Sequence, residues 1–133
     1  MWSYKLFRIG ALVCALDGIM HLFVHFGNKG MKPVNSTAFQ LEELMYGFKS
    51  NVMGTMRSQG EIFDGMSLSY SVFMLSLAAL GFTVRVEKKT AIVFAAPLAV
   101  MLGISLTYWF IMPTVLLGAG LICYAGSAYL DKK

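Results

Sequence analysis

The hydrocarbon core of a bilayer is about 30 Å thick, and a helix needs about 20 residues to cross it. Apolar runs of that length constrain this chain more than anything else in its sequence. They cover Leu6–Phe26, Ile62–Val84, Thr90–Trp109 and Pro113–Leu130. The expected fold is all-α and polytopic: residues 1–133 as a single four-helix transmembrane bundle. Composition points the same way. Hydrophobic residues make up 57% of the 133 and charged residues 14%, whereas soluble domains carry about 45–50% and about 25%. A chain this short has too much surface for its volume to hide that excess from water. Lys5 and Arg8 precede the first run as in a secretory signal. Its length of about 21 residues exceeds a signal core, and no small-x-small cleavage site follows, so it is expected to be retained as a span.

The links between runs differ. Arg85-Val86-Glu87-Lys88-Lys89 is a short charged turn between the second and third. Phe110-Ile111-Met112-Pro113 leaves almost nothing between the third and fourth, which predicts a tight hairpin with Pro113 opening the last helix, where proline needs no amide donor. Pro97, inside the third run, predicts a kink. Gly27 to Glu61 is the long link. Gly27, Gly30 and Pro33 break the first helix, and Thr37-Ala38-Phe39-Gln40 reads as a capping box with Thr37 as N-cap. Leu41, Leu44, Met45, Phe48 and Val52 follow on one face, with Glu42, Glu43 and Lys49 largely off it. A short amphipathic helix over about Ala38–Lys49, lying at the membrane interface between the first two spans, is expected. Gly54 and Gly60 bracket a second, irregular stretch.

The net charge of +4 would suggest nucleic acid in a soluble protein. Here the basic residues sit at helix ends, where they orient the chain and meet lipid headgroups, so no nucleic-acid partner is expected. Lys5, Arg8, Arg85, Lys88, Lys89, Lys132 and Lys133 share one side, against Lys29, Lys32, Lys49 and Arg57 on the other. The richer side should be cytoplasmic, which places both termini inside and the long link outside, facing the periplasm or its equivalent. Stripes of small residues, Gly10/Cys14/Gly18 and Ala119/Cys123/Ser127, suit close helix contacts in lipid. Cys14 and Cys123 fall at similar depth and are expected to pack rather than to form a disulfide.

Asp17, His21 and His25 recur at i, i+4 and i+8, on one face of the first span. A carboxylate at the depth of Asp17 costs about 2.5–3.5 kcal/mol on insertion scales, so a partner, water or a proton must offset it. The structural reading is a local hydrogen-bond network completed by serines of the second span. The functional reading is a cavity lined by Asp17, His21, His25, Asp64 and Glu61, with Arg57 and Ser67 beside it; Glu61 and Asp64 equally suit helix capping. Histidine titrates near neutrality, and a carboxylate one turn away fixes its tautomer, so proton transfer by His21 with Asp17 orienting it is the expected chemistry if the chain is an enzyme. Neither Glu-x-x-His nor His-Glu-x-x-His occurs, both histidines lie on one helix, and no Cys-x-x-Cys or phosphate loop is found. The sequence specifies no metal and no cofactor.

Three segments, Asp17-Gly-Ile-Met-His21-Leu-Phe-Val-His25, Met56-Arg57-Ser58 and Asp64-Gly65-Met66-Ser67-Leu68, resemble a group of small bacterial four-helix inner-membrane proteins of the DoxX-like type. The resemblance covers the first half of the chain best and implies a four-helix fold without an activity. A weaker likeness is to the EXPERA group of sterol isomerases and sterol-binding receptors, which place acids and histidines around a lipid-accessible cavity; no residue matches position by position. Two functions are therefore carried forward. One is an outward-facing polar cavity that binds a lipophilic small molecule such as a quinone, isoprenoid or sterol-like lipid. The alternative is a non-catalytic accessory subunit of a larger membrane complex or homo-oligomer.

Overall fold

The computed structural model describes residues 2–28, 31–108 and 111–131. In chain order they form α1 (Trp2–Asn28), α2 (Ser36–Gly47), β1 (Lys49–Val52), β2 (Thr55–Ser58), α3 (Gln59–Thr83), α4 (Lys88–Tyr108) and α5 (Ile111–Leu130). Helices α1, α3, α4 and α5 are each long and apolar enough to cross a membrane. Each coincides with an expected span and starts earlier, so that α1 begins at Trp2 rather than Leu6 and α5 at Ile111 rather than Pro113, while α3 ends at Thr83, one residue before the expected Val84. Pro113 sits in the first turn of α5, where it removes no hydrogen bond. Helix α4 runs continuously through Pro97. Trp109 and Phe110, which were to end the third span and open the last link, lie outside the described residues, as do Gly30, Lys29, Lys132 and Lys133.

The chain divides into two compact units, Met1–Met20 with Val72–Lys133, and His21–Ser71. In the first unit the beginning of α1, the end of α3, and the α4–α5 hairpin bury Phe7, Ala11, Cys14, Met74, Ala78, Phe94, Leu98, Leu117 and Tyr124. At its centre three rings meet edge to face or tilted. Phe7 lies 4.9 Å from Tyr124 and 5.2 Å from Phe94, and Phe94 lies 5.3 Å from Tyr124, between ring centroids. Apolar solvent provides no hydrophobic force between helices, so shape complementarity holds such a core together.

Two glycines make room for it. A Cβ on Gly10 would stand 3.1 Å from the Tyr124 ring, and one on Gly81 would stand 2.8 Å from the Cβ of Ala11. The stripe Gly10/Cys14/Gly18 on α1 is buried as expected. On α5 the expected stripe holds in part: Ser127 is buried, Ala119 and Cys123 are only half-buried, and Gly120 and Tyr124 also face inward. Both cysteines are free thiols, in keeping with packing.

Polar groups in this unit are paired between helices. Ser105 and Thr114 hydroxyls meet at 2.6 Å across the α4–α5 hairpin. Ser3 Oγ donates to the Ser127 carbonyl at 3.0 Å, and Ser127 Oγ donates to the Ser3 carbonyl at 2.9 Å, tying α1 to α5. Arg8 Nη1 donates to the Gly81 carbonyl at 2.6 Å. That carbonyl is in the last turn of α3, where a cation complements the helix dipole.

The second unit corrects the sequence reading of the long link twice. The N-cap of α2 is Asn35, not Thr37: its backbone is extended and its side-chain oxygen accepts from Ala38 N at 2.8 Å. Asparagine caps better than threonine, so the helix starts one position after it. The stretch expected to be irregular is a β-hairpin pairing Lys49 with Ser58 and Val52 with Thr55. Its two central residues, Met53 and Gly54, have positive φ of 51° and 88°, the type I′ signature that matches strand twist. Asn51 Oδ1 braces the turn by accepting from Gly54 N at 2.8 Å. The fold is thus helical with one short hairpin rather than purely α. Phe48 and Val52 leave the helix face assigned to them: Phe48 is the C-cap of α2 and Val52 ends β1. Helix α2 buries no residue, and Leu41 and Leu44 lie open.

Candidate functional site

The second unit gathers polar side chains from three helices. Helix α1 is continuous from Trp2 to Asn28, so Asp17, His21 and His25 keep the single face that their spacing predicts. Asp17 belongs to the first unit and is 1% exposed. His21 and His25 belong to the second. His25 is buried, with its Nδ1 3.7 Å from Asp64 Oδ1 on α3. The other carboxylate oxygen, Oδ2, accepts a hydrogen bond from the Tyr46 hydroxyl of α2 at 3.2 Å. One carboxylate therefore joins α1, α2 and α3. The His21 ring lies 4.5 Å from that of Tyr70, which is itself buried.

Local sequence explains how α3 presents Asp64. Ser58 ends β2 and also caps α3. Its hydroxyl accepts from Glu61 N at 3.1 Å, while Glu61 Oε2 accepts from Ser58 N at 2.8 Å. Ser58-Gln59-Gly60-Glu61 is thus a capping box. It commits Glu61 to the helix-capping role that competed with its place in a cavity. Gly60 supplies a landing site, because any Cβ there would overlap the Tyr46 ring. The hairpin, the cap and the glycine together bring α2 against the start of α3.

Other expected site residues stand apart. Arg57 is exposed on β2, opposite Ser50. Ser67 is half-buried on α3, and its carbonyl accepts from the Ser71 hydroxyl at 3.0 Å, a bond within the helix. Tyr46 and Tyr70 were not anticipated. Tyr70 falls three residues after Ser67 on α3, a same-face spacing, so its position relative to that serine held a usable signal. Tyr46 gave none, because its role depends on Gly60 and on a hairpin that the sequence did not reveal.

The chemistry of this arrangement is hydrogen bonding and proton exchange. The Asp64 carboxylate, 3.7 Å from His25 Nδ1, orients that ring. Burial and the Asp64 carboxylate, with a smaller effect of Glu42, push the Tyr46 phenol above its ordinary range, so the hydroxyl stays a donor. Among the described residues no three His, Cys, Asp or Glu side chains converge as metal ligands.

Replacing Tyr46 by phenylalanine should release α2 without unfolding the chain. An exposed hydrogen bond contributes about 1 kcal/mol, so hydrogen exchange of the α2 amides should quicken about fivefold. The sign with pH is the same: a raised phenol pKa means that the tether is intact below about pH 10 and is lost as pH rises through the folded value. Exchange in α2 that is equal in the two proteins would show that the hydroxyl does not hold the helix.

Comparison with protein-family models, with curated proteins and with solved structures finds no match, so the side chains of the site carry the functional argument by themselves.

Proposed function

We propose that the chain is a multi-pass protein of the bacterial inner membrane, with both termini cytoplasmic, which binds a lipophilic small molecule at an outward-facing polar site. The observation that carries this reading is buried His25 facing the half-buried Asp64 carboxylate, which the Tyr46 hydroxyl reaches from α2. Ionisable groups are costly inside apolar helices and mark function there by default. A histidine, a carboxylate and a phenol suit the carbonyl or hydroxyl head of a quinone, isoprenoid or sterol-like lipid, whose apolar body stays among the helices. The weaker likeness to the EXPERA group fits such a ligand, and the resemblance to DoxX-like proteins fits the four-helix fold. Helix α2 acts as a lid, with Tyr46 as its catch. Asp17, one helical turn before His21, supplies a further proton-accepting group on the α1 face, and His21 with Asp17 is the proposed proton-transfer pair.

The alternative is an accessory subunit of a larger membrane complex. The open apolar residues of α2 and the hairpin, Leu41, Leu44, Phe48 and Met53, favour it, because a partner chain would cover them. Purification in mild detergent followed by mass spectrometry separates the two. A lipophilic small molecule retained by the lone chain supports the first reading, whereas a stoichiometric second protein with no small molecule supports the alternative.

Orientation has its own test. Lys49→Cys on β1 should react with a membrane-impermeant thiol reagent in intact cells, and Lys88→Cys at the start of α4 only after permeabilisation. The reverse pattern would invert the topology and place the His25 site inside.

A further inference from the structure

The first unit contains a groove of about 550 Å³ that the outward site does not use. Ser3 and Tyr4 of α1 form one wall, the α3–α4 turn and the first residues of α4 form another, and Asp131 closes the end of α5. Three cations line it, Arg85, Lys88 and Lys89. The two carboxylates present do not cancel them. Glu87 is taken up by Arg85, Nε to Oε1 3.3 Å, in a solvent-exposed pair, which leaves two lysines facing Asp131. A fourth cation stands behind the wall. The Arg8 guanidinium lies 4.8 Å over the Tyr4 ring, is half-buried, and bonds to the Gly81 carbonyl rather than to a carboxylate. Its Nε is buried with no hydrogen-bond partner.

The backbone adds to this field. Glu87 O accepts from Ala91 N at 2.9 Å, which makes Glu87 the residue before the first turn of α4. Its side chain is turned to Arg85, so no carboxylate caps the amides of Lys88, Lys89 and Thr90. Free first-turn amides beside two ammonium groups, in a recess walled by an aromatic ring, form an anion receptor. The recess lies at the ends of apolar helices, where the anion at hand is a phosphate ester.

We propose that this groove binds the phosphate of an anionic phosphate ester, held by Lys88, Lys89 and the first-turn amides of α4. The phosphate comes either from a phospholipid headgroup in the adjoining leaflet or from a soluble phosphate ester. The proposal rests on the membrane placement of the helices and not on the ligand of the His25 site, so either can fail alone.

The test uses the full-length protein in a neutral detergent, with native mass spectrometry reading bound short-chain lipid. Phosphatidylglycerol should bind more tightly than phosphatidylcholine of the same chain length. Each basic side chain near a headgroup contributes about fivefold, so the double variant Lys88→Gln/Lys89→Gln should weaken phosphatidylglycerol binding roughly 30-fold. Lys88→Arg/Lys89→Arg, which keeps the charge, should retain it, as should Lys49→Gln on β1. Equal binding of the two lipids, or phosphatidylglycerol binding unchanged in the glutamine variant, overturns the proposal. Inorganic phosphate that displaces phosphatidylglycerol supports a soluble ester as the source, and failure to displace it supports the lipid.

Discussion

Tyr124→Ala should be the most destabilising single substitution in the first unit, and Tyr124→Phe should be nearly silent. The ring is fully buried and meets both Phe7 and Phe94 edge-on or tilted. In a water-soluble core, truncating such a ring to alanine costs about 3–5 kcal/mol, part of it transfer from water and part the cavity left behind. In detergent or lipid the unfolded ring remains in apolar solvent, so the transfer part falls away and the lost contacts remain. About 2–3 kcal/mol is then expected, read as a shift in an unfolding titration with a denaturing detergent. The glycines sharpen the effect. Gly10 and Gly81 lack side chains where the Tyr124 ring and hydroxyl pass, so neither contributes atoms to fill the space. The hydroxyl itself contributes little, since its partner is the Cys14 sulfur at 4.0 Å, a weak acceptor. Phenylalanine should therefore cost less than about 1 kcal/mol. Equal losses for the two variants would show that the hydroxyl, and not the packing of the ring, carries the stability.

The same tyrosine shows where sequence reading stopped. Long apolar runs locate α1, α3, α4 and α5 because the bilayer sets their length, and that constraint is one-dimensional. Which residue of α5 faces inward is a question of fit between helices. A rule based on small residues chose Ala119, Cys123 and Ser127; Ser127 is buried and Cys123 faces Gly10, but the rule passed over Tyr124, whose large ring Gly10 and Gly81 on the opposing helices accept. The hairpin was illegible for a different reason. Type I′ turns favour asparagine or glycine where φ is positive, and Met53 occupies that position with its φ of 51°. At the site, helical spacing gave the face shared by Asp17, His21 and His25. The expected cavity also grouped Asp64 with His25, and the two do meet; it did not give Tyr46, because α2 reaches Asp64 only once the Ser58 cap and the Gly60 contact have fixed the start of α3.

Asp17→Asn should leave expression and helix content intact while sharply reducing the lipophilic ligand that co-purifies with the chain. Asparagine is nearly isosteric with aspartate and keeps hydrogen bonding, so it removes the charge and the exchangeable proton while preserving shape. Asp17 is 1% exposed, and an ionisable group held within an apolar helix lowers stability unless it is compensated. The amide keeps the shape and hydrogen-bonding reach of that side chain, so folding should be retained while ligand retention falls, a split that a purely structural residue does not produce. His21→Ala and His25→Ala provide the second arm. If proton exchange along the α1 face holds the ligand, each should reduce retention, and the combination with Asp17→Asn should add little, because groups acting as one unit are not additive. Asp17→Leu tests the structural role alone: loss of folding there, with Asp17→Asn tolerated, identifies a polar group needed for helix register. Retention that survives Asp17→Asn, His21→Ala and the two together would remove the binding reading, leaving the accessory subunit, with the open apolar residues of α2 and the hairpin as the surface on which to look for its partner.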